Sequence, residues 1–141
     1  MTIASITTDI NFGPYIIPSN AQNMIMNFFA NRINISIELV IPEPIFSFQY
    51  ATTLWLHKQY NFTELLLCSI HQLPRESNHI KKLVTFMPNV KLHFALEGES
   101  GIINEKINYW SEQIDVFDAC DTLNGKDIGW LGMYNIMAHK S

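Results

Sequence analysis

Short apolar runs of period two alternate along this chain with longer stretches of period 3.6, the pattern of repeated βαβ units. Ile3 to Thr8 predicts a first strand, followed by a loop that carries the turn signal Gly13-Pro14 and ends at Pro18. Ser19 to Gln22 has the form of a capping box, the Ser19 hydroxyl accepting from the Gln22 N–H while the Gln22 side chain reaches back. A helix is expected to start there, with Ala21, Met24, Ile25, Phe28 and Phe29 as its sheet-facing stripe. A second strand, Asn34 to Ile41, sets Ile35, Ile37, Leu39 and Ile41 against Asn34, Ser36 and Glu38, which places it at an edge with one wetted face. Pro42-Glu43-Pro44 ends it, and Ser47 caps a second helix to about Tyr60 with Phe48, Ala51, Leu54 and Trp55 inward.

The third strand, Glu64 to Ile70, contains the unbroken run Leu65-Leu66-Leu67-Cys68, which needs cover on both faces and so belongs at the sheet centre. Pro74 suits the first turn of the next helix, whose stripe is Ile80, Leu83, Val84 and Met87. Val90 to Leu96 predicts a fourth strand with Lys91 and His93 on its polar side, and Ile103, Ile107, Trp110, Ile114 and Phe117 mark a one-sided helix. The expected fold is α/β: a three-layer arrangement with a short parallel sheet of about four strands, order 2-1-3-4, flanked by helices in a flavodoxin- or resolvase-like way. Residues 1–120 read as one α/β domain. Residues 121–141 read as an apolar tail, with Trp130, Leu131, Met133 and Tyr134, that packs on the domain or on a second subunit and makes a homo-oligomer possible.

Composition narrows the partners. An apolar fraction of 48% against 16% charged residues describes a packed globule, not a disordered chain. The net charge of −4 repels a phosphate backbone, so no nucleic acid is expected. No run approaches a membrane span, and Met1 to Ile10 has no basic segment followed by an apolar stretch, so the expected location is the cytoplasm. Cys68 and Cys120 have no ligand-pair spacing, and neither a metal motif nor a glycine-rich phosphate loop occurs; no metal or cofactor is expected.

From Ile17 to Ile102 the chain resembles the bacterial sporadic carbohydrate cluster proteins. The residues that carry the likeness are Pro18 with Gln22-Asn23, Ser69-Ile70 with Leu73-Pro74, and Leu92-His93-Phe94-Ala95 with Glu97. The resemblance implies a setting in lipopolysaccharide, capsule or other surface-glycan synthesis and assigns no reaction. A looser similarity runs to the catalytic domain of serine recombinases, through the βαβ order and Leu73-Pro74-Arg75. It implies architecture only, because Ile6 to Asn11 has no arginine and no serine at the positions the recombinase pattern needs.

With the order 2-1-3-4, a crevice opens beyond the carboxyl ends of the first and third strands. Thr8 and Asp9, then Ser69, His71 and Gln72, then Glu97 are delivered there. Ser19, Asn20, Gln22 and Asn23 stand at the N-terminus of the first helix, where free N–H groups favour an anion. Hydroxyls, amides, an imidazole and carboxylates suit a polyhydroxylated, sugar-derived ligand. His71 and Glu97 are the candidate proton-handling pair, Ser69 the candidate nucleophile, and Arg75 a candidate partner for an anionic substituent. His93 joins the list as a ligand-contacting residue. Each has a structural alternative: His71 as a cap of loop carbonyls, His93 as a packed or exposed strand residue, Glu97 as a surface carboxylate, Gln22 as a capping-box member. Two functions follow, an enzyme acting on a sugar-derived intermediate or a non-catalytic binding or scaffold module. A crevice with no cavity of about 300 Å³ or more favours the second.

Overall fold

The run Leu65-Leu66-Leu67-Cys68 is wholly buried, and the sheet is built around it. The computed structural model describes residues 2–8, 11–43 and 50–124, the last four by backbone alone. In chain order the elements are β1 (Ile3–Thr7), β2 (Asn11–Phe12), β3 (Tyr15–Ile16), α1 (Ser19–Arg32), β4 (Leu39–Pro42), α2 (Ala51–Tyr60), β5 (Glu64–Leu67), a 3-10 turn (Ile70–Gln72), α3 (Ser77–Phe86), β6 (Lys91–Phe94), β7 (Glu99–Ile102) and α4 (Ile103–Asn124). The main sheet runs β4-β1-β5-β6-β7. Its first four strands are parallel and in the order expected, with the apolar strand at the centre. β7 is an addition to that expectation: it returns antiparallel on β6, so the sheet has five strands. β2 and β3 form a separate antiparallel hairpin.

The chain divides into two compact units, Met1–Ile107 and Asn108–Ser141. The tail beyond Asn124 lies outside the described residues, as do Asp9 and the Ser47 and Phe48 proposed for the start of the second helix. Along α4, Ile103, Ile107, Trp110 and Ile114 are buried, as their spacing predicts, and Phe117, the last of that stripe, is half-buried. No helix among the described residues is long and apolar enough to cross a membrane.

Four local expectations are corrected. The second strand begins at Leu39 and includes Pro42, rather than running from Asn34 to Ile41. α1 has no side-chain cap; Pro18 occupies the cap position, and Gln22 points into the protein. Its buried line is Gln22, Met26 and Ala30, while Met24 and Phe28 are 72% and 68% exposed. A polar residue buried at Gln22 rotates the helix away from its apolar stripe, because the amide gains more from buried partners than Met24 does from burial. In α2 only Thr53 is buried and Trp55 is exposed. That helix is fastened by Glu43, whose Oε1 accepts from the Thr53 N–H and hydroxyl, both at 2.5 Å. α3 begins at Ser77 rather than at Pro74. The core on the α1 face gathers Ile3, Leu66 and Cys68 from the sheet, Met26 and Ala30 from α1, and Phe12 from the hairpin.

Candidate functional site

β5 ends at Leu67, and the chain turns because Ser69 and Gln72 form the capping box that Ser19 and Gln22 do not. The Ser69 hydroxyl accepts from the His71 N–H at 3.2 Å. Gln72 folds its side chain back so that Oε1 accepts from the Cys68 and Ser69 N–H groups at 2.8 and 3.2 Å. Its Nε2 donates to Thr8 Oγ1 at 2.7 Å and to Gln22 Oε1 at 3.1 Å. Gln22 in turn grips the end of β1: Oε1 accepts from the Thr8 N–H, and Nε2 donates to the carbonyls of Thr8 and Ile17. Both amides thus have two donors and two acceptor positions engaged, the full capacity of the group. Tyr50, buried, donates its hydroxyl to the Gln72 carbonyl at 2.6 Å.

Glu97 reaches the same turn from the loop after β6, which runs on beside β5 through the Ala95 N–H to Leu67 carbonyl and Leu96 N–H to Cys68 carbonyl bonds. Its Oε2 accepts from the Ser69 hydroxyl at 2.7 Å and its Oε1 from the Ile70 N–H at 3.0 Å. Burial raises its pKa above the usual carboxylate value, against the lowering effect of those bonds, and Glu99 adds to the rise. The Tyr15 phenol is raised first by burial and then by the Glu97 charge. Cys68 is pushed up to about 12 by the same two causes. Burial, with Glu43 behind it, holds the Tyr50 phenol well above its ordinary value.

The β2–β3 hairpin lies over His71. Tyr15 meets the imidazole edge-on at 6.1 Å, and Gly13, at φ +57°, brings backbone so close that a Cβ there would collide with the ring. Beside the ring opens a cavity of about 240 Å³ lined by Asn11, Phe12, Gly13, His71, Arg75 and Glu76.

The fold therefore brings together Thr8, Gln22, Ser69, His71, Gln72 and Glu97, and sets Arg75 on the cavity. Ser69 is wholly buried with its hydroxyl held between Glu97 and the His71 N–H, the arrangement of an anchor. Ser19 and Asn20 are exposed and Asn23 half-buried at the start of α1. His93 is elsewhere and is not on a solvated face. It is 3% exposed, between Glu64 on β5 and Ser100 on β7, because α1 covers that side of the sheet and sets Phe29 6.2 Å from its ring. Asn11, Tyr15 and Glu76 were not among the sequence candidates. The turn signal Gly13-Pro14 between Phe12 and Tyr15 is the local pattern that marks the hairpin.

No family model and no curated protein matches the sequence. The resemblance to the sporadic carbohydrate cluster proteins gains no support from either. Among solved structures, the crystal structure of the N-terminal catalytic domain of TP901-1 integrase matches with a TM-score of 0.59 at 14% identity, over 84% of this chain and 97% of that one. The two share a fold. This is the resolvase-like architecture that the strand order predicts, and at this identity the likeness extends to the fold alone.

Proposed function

We propose that this chain is a binding module for a small polyhydroxylated, sugar-derived ligand with an anionic substituent, in the surface-carbohydrate setting that its sequence resemblance implies. The observation that carries the reading is the contrast between the two sides of the 3-10 turn. On the inner side, Gln22 and Gln72 are engaged with each other, with Thr8 and with backbone, and the Ser69 hydroxyl donates to Glu97 and accepts from the His71 N–H, so these residues build the crevice and the Ser69 hydroxyl is held as an anchor. On the outer side, the His71 imidazole, the Arg75 guanidinium and Asn11 line a cavity with Phe12 as an apolar wall. At about 240 Å³ it has room for a sugar-sized group. It falls below the ~300 Å³ at which small-molecule sites usually begin, a size that suits capture of one sugar-sized group. Arg75 supplies the charge-assisted contact for a phosphate or carboxylate.

Strand exchange on DNA is not part of this reading. β1 ends in Thr7 and is followed by Thr8, where the recombinase pattern needs a serine with an arginine nearby, and the net charge is −4. Self-association through residues 121–141 belongs to the proposal, and a monomer mass at every concentration in sedimentation would remove it.

Calorimetry with glucose 1-phosphate, UDP-glucose and glucose tests the site. Saturable binding of the two anionic ligands is expected, weakened about tenfold or more by Arg75→Ala, the loss of one charge-assisted contact. Absence of saturable binding by either, or binding indifferent to both Arg75→Ala and His71→Ala, overturns the reading.

A further inference from the structure

Three side chains from three adjacent strands form a single hydrogen-bonded chain on the α1 face of the sheet, apart from the crevice. Glu64 Oε1 lies 2.7 Å from His93 Nε2, and His93 Nδ1 lies 2.6 Å from Ser100 Oγ. With the imidazole neutral and its proton on Nε2, Nε2–H donates to Glu64 and Nδ1 accepts from the Ser100 hydroxyl. One tautomer satisfies both bonds. That is the order of nucleophile, base and orienting carboxylate required for acyl transfer.

The strand registers create it. Leu66, His93 and Ser100 are opposite one another across β5, β6 and β7, and Glu64 is two residues before Leu66, hence on the same face. The Ile103 N–H to Val90 carbonyl bond sets the phase of the β6–β7 ladder. Gly101/Leu92 and Glu99/Phe94 are then hydrogen-bonded pairs, and His93/Ser100 is the intervening pair with its side chains closest. In that phase the Ser100 N–H is directed away from β6, and β7 is the outermost strand. Ser100 is exposed, whereas His93 is 3% exposed beneath the Phe29 ring. Phe29 also lines a groove of about 440 Å³ with Met24, Ile25, Phe28 and Leu96. Met24 and Phe28 are the apolar residues of α1 that remain in solvent.

We propose that Ser100, His93 and Glu64 form a hydrolytic centre for carboxylic esters with an apolar acyl group, a site independent of the crevice reading. Ser100 Oγ bonds to the ester carbonyl carbon as His93 Nδ1 takes the hydroxyl proton. The ester C–O bond then breaks, and the departing alkoxide leaves as the alcohol with that proton. Water attacks the acyl-Ser100 carbonyl, gives a proton to Nδ1 and releases the carboxylic acid, and the proton returns to Ser100 Oγ. The outward Ser100 N–H is the donor to the carbonyl oxygen as it gains charge. Glu64 is a positioning residue that fixes the ring tautomer and stabilises the imidazolium. Phe29 and the groove beyond it take the acyl chain.

The test treats the full chain with a fluorophosphonate probe and with p-nitrophenyl butyrate. Mass addition on the Ser100 peptide is expected, together with hydrolysis that falls ~100-fold or more in Ser100→Ala. Ser100→Ala also removes the hydroxyl partner of the buried His93 Nδ1, so its unfolding transition is expected to stay cooperative at a lower temperature, and rates are compared below that transition. Glu64→Gln should lower kcat with KM little changed, and Glu64→Asp should recover part of the rate, a pattern that a purely structural cross-strand link does not produce. An unlabelled Ser100 in the folded protein, or hydrolysis that survives Ser100→Ala, overturns the proposal. A kcat unchanged in Glu64→Gln removes Glu64 from it.

Discussion

Gln72 Nε2 donates to Gln22 Oε1 at 3.1 Å, joining residues fifty positions apart, and each of the two amides has all four of its hydrogen-bonding positions filled. The pair ties the end of β1, the start of α1 and the turn after β5 into one unit. The crevice owes its shape to it.

Gln72→Leu keeps the volume and removes the bonds, leaving the Cys68 and Ser69 N–H groups without the acceptor they have now. Each orphaned buried group costs about 1–3 kcal/mol, so a loss of roughly 3 kcal/mol or more in urea unfolding is expected, with an unchanged m-value. A loss below about 1 kcal/mol would mean that the amide is not the tie described.

Gly13 and Gly98 both have positive φ, at +57° and +67°, but only at Gly13 does a Cβ meet other atoms, those of the His71 ring. Gly98→Ala should cost about 1–2 kcal/mol, the backbone term alone. Gly13→Ala should cost clearly more and displace the hairpin from His71, read as a larger drop in Tm and as a shift of the His71 imidazole resonances.

The Glu97 carboxyl has its folded pKa raised by burial above the ordinary 4.5, so the folded protein holds this proton more firmly than the unfolded chain does. The associated stability is complete below the ordinary carboxylate value and is lost as pH rises from there through the raised pKa. Urea unfolding from pH 4 upward, for the protein and for Glu97→Gln, should show the parent losing stability relative to the variant across that window. A parent that gains stability relative to the variant would contradict the direction.

Cys68 is buried with a thiol pKa of about 12, and Cys120 is half-buried. At pH 8 the Cys68 thiolate is negligible, so with an aromatic disulfide reagent one thiol should react in the native protein and the second only on unfolding. Two rapid equivalents in the native state would show that Cys68 is open to solvent.

Much of the architecture is legible in the residues themselves. Leu65-Leu66-Leu67-Cys68 is too apolar to tolerate a wetted face, which puts β5 at the centre, and the βαβ alternation orders the four parallel strands around it. The crevice cluster of Thr8, Ser69, His71, Gln72 and Glu97 is legible for the same reason, since strand ends of known order define who meets whom. What hydropathy does not encode is which polar groups find partners under cover. Gln22 and His93 look solvated in a periodic pattern, and only the packing of α1 over residues 46 and 64 positions away in the chain makes them interior. The antiparallel return of β7, which brings Ser100 opposite His93, was likewise decided by tertiary pairing, because Glu99-Ser100-Gly101-Ile102 has too little side-chain pattern to specify a strand until β6 offers it an edge.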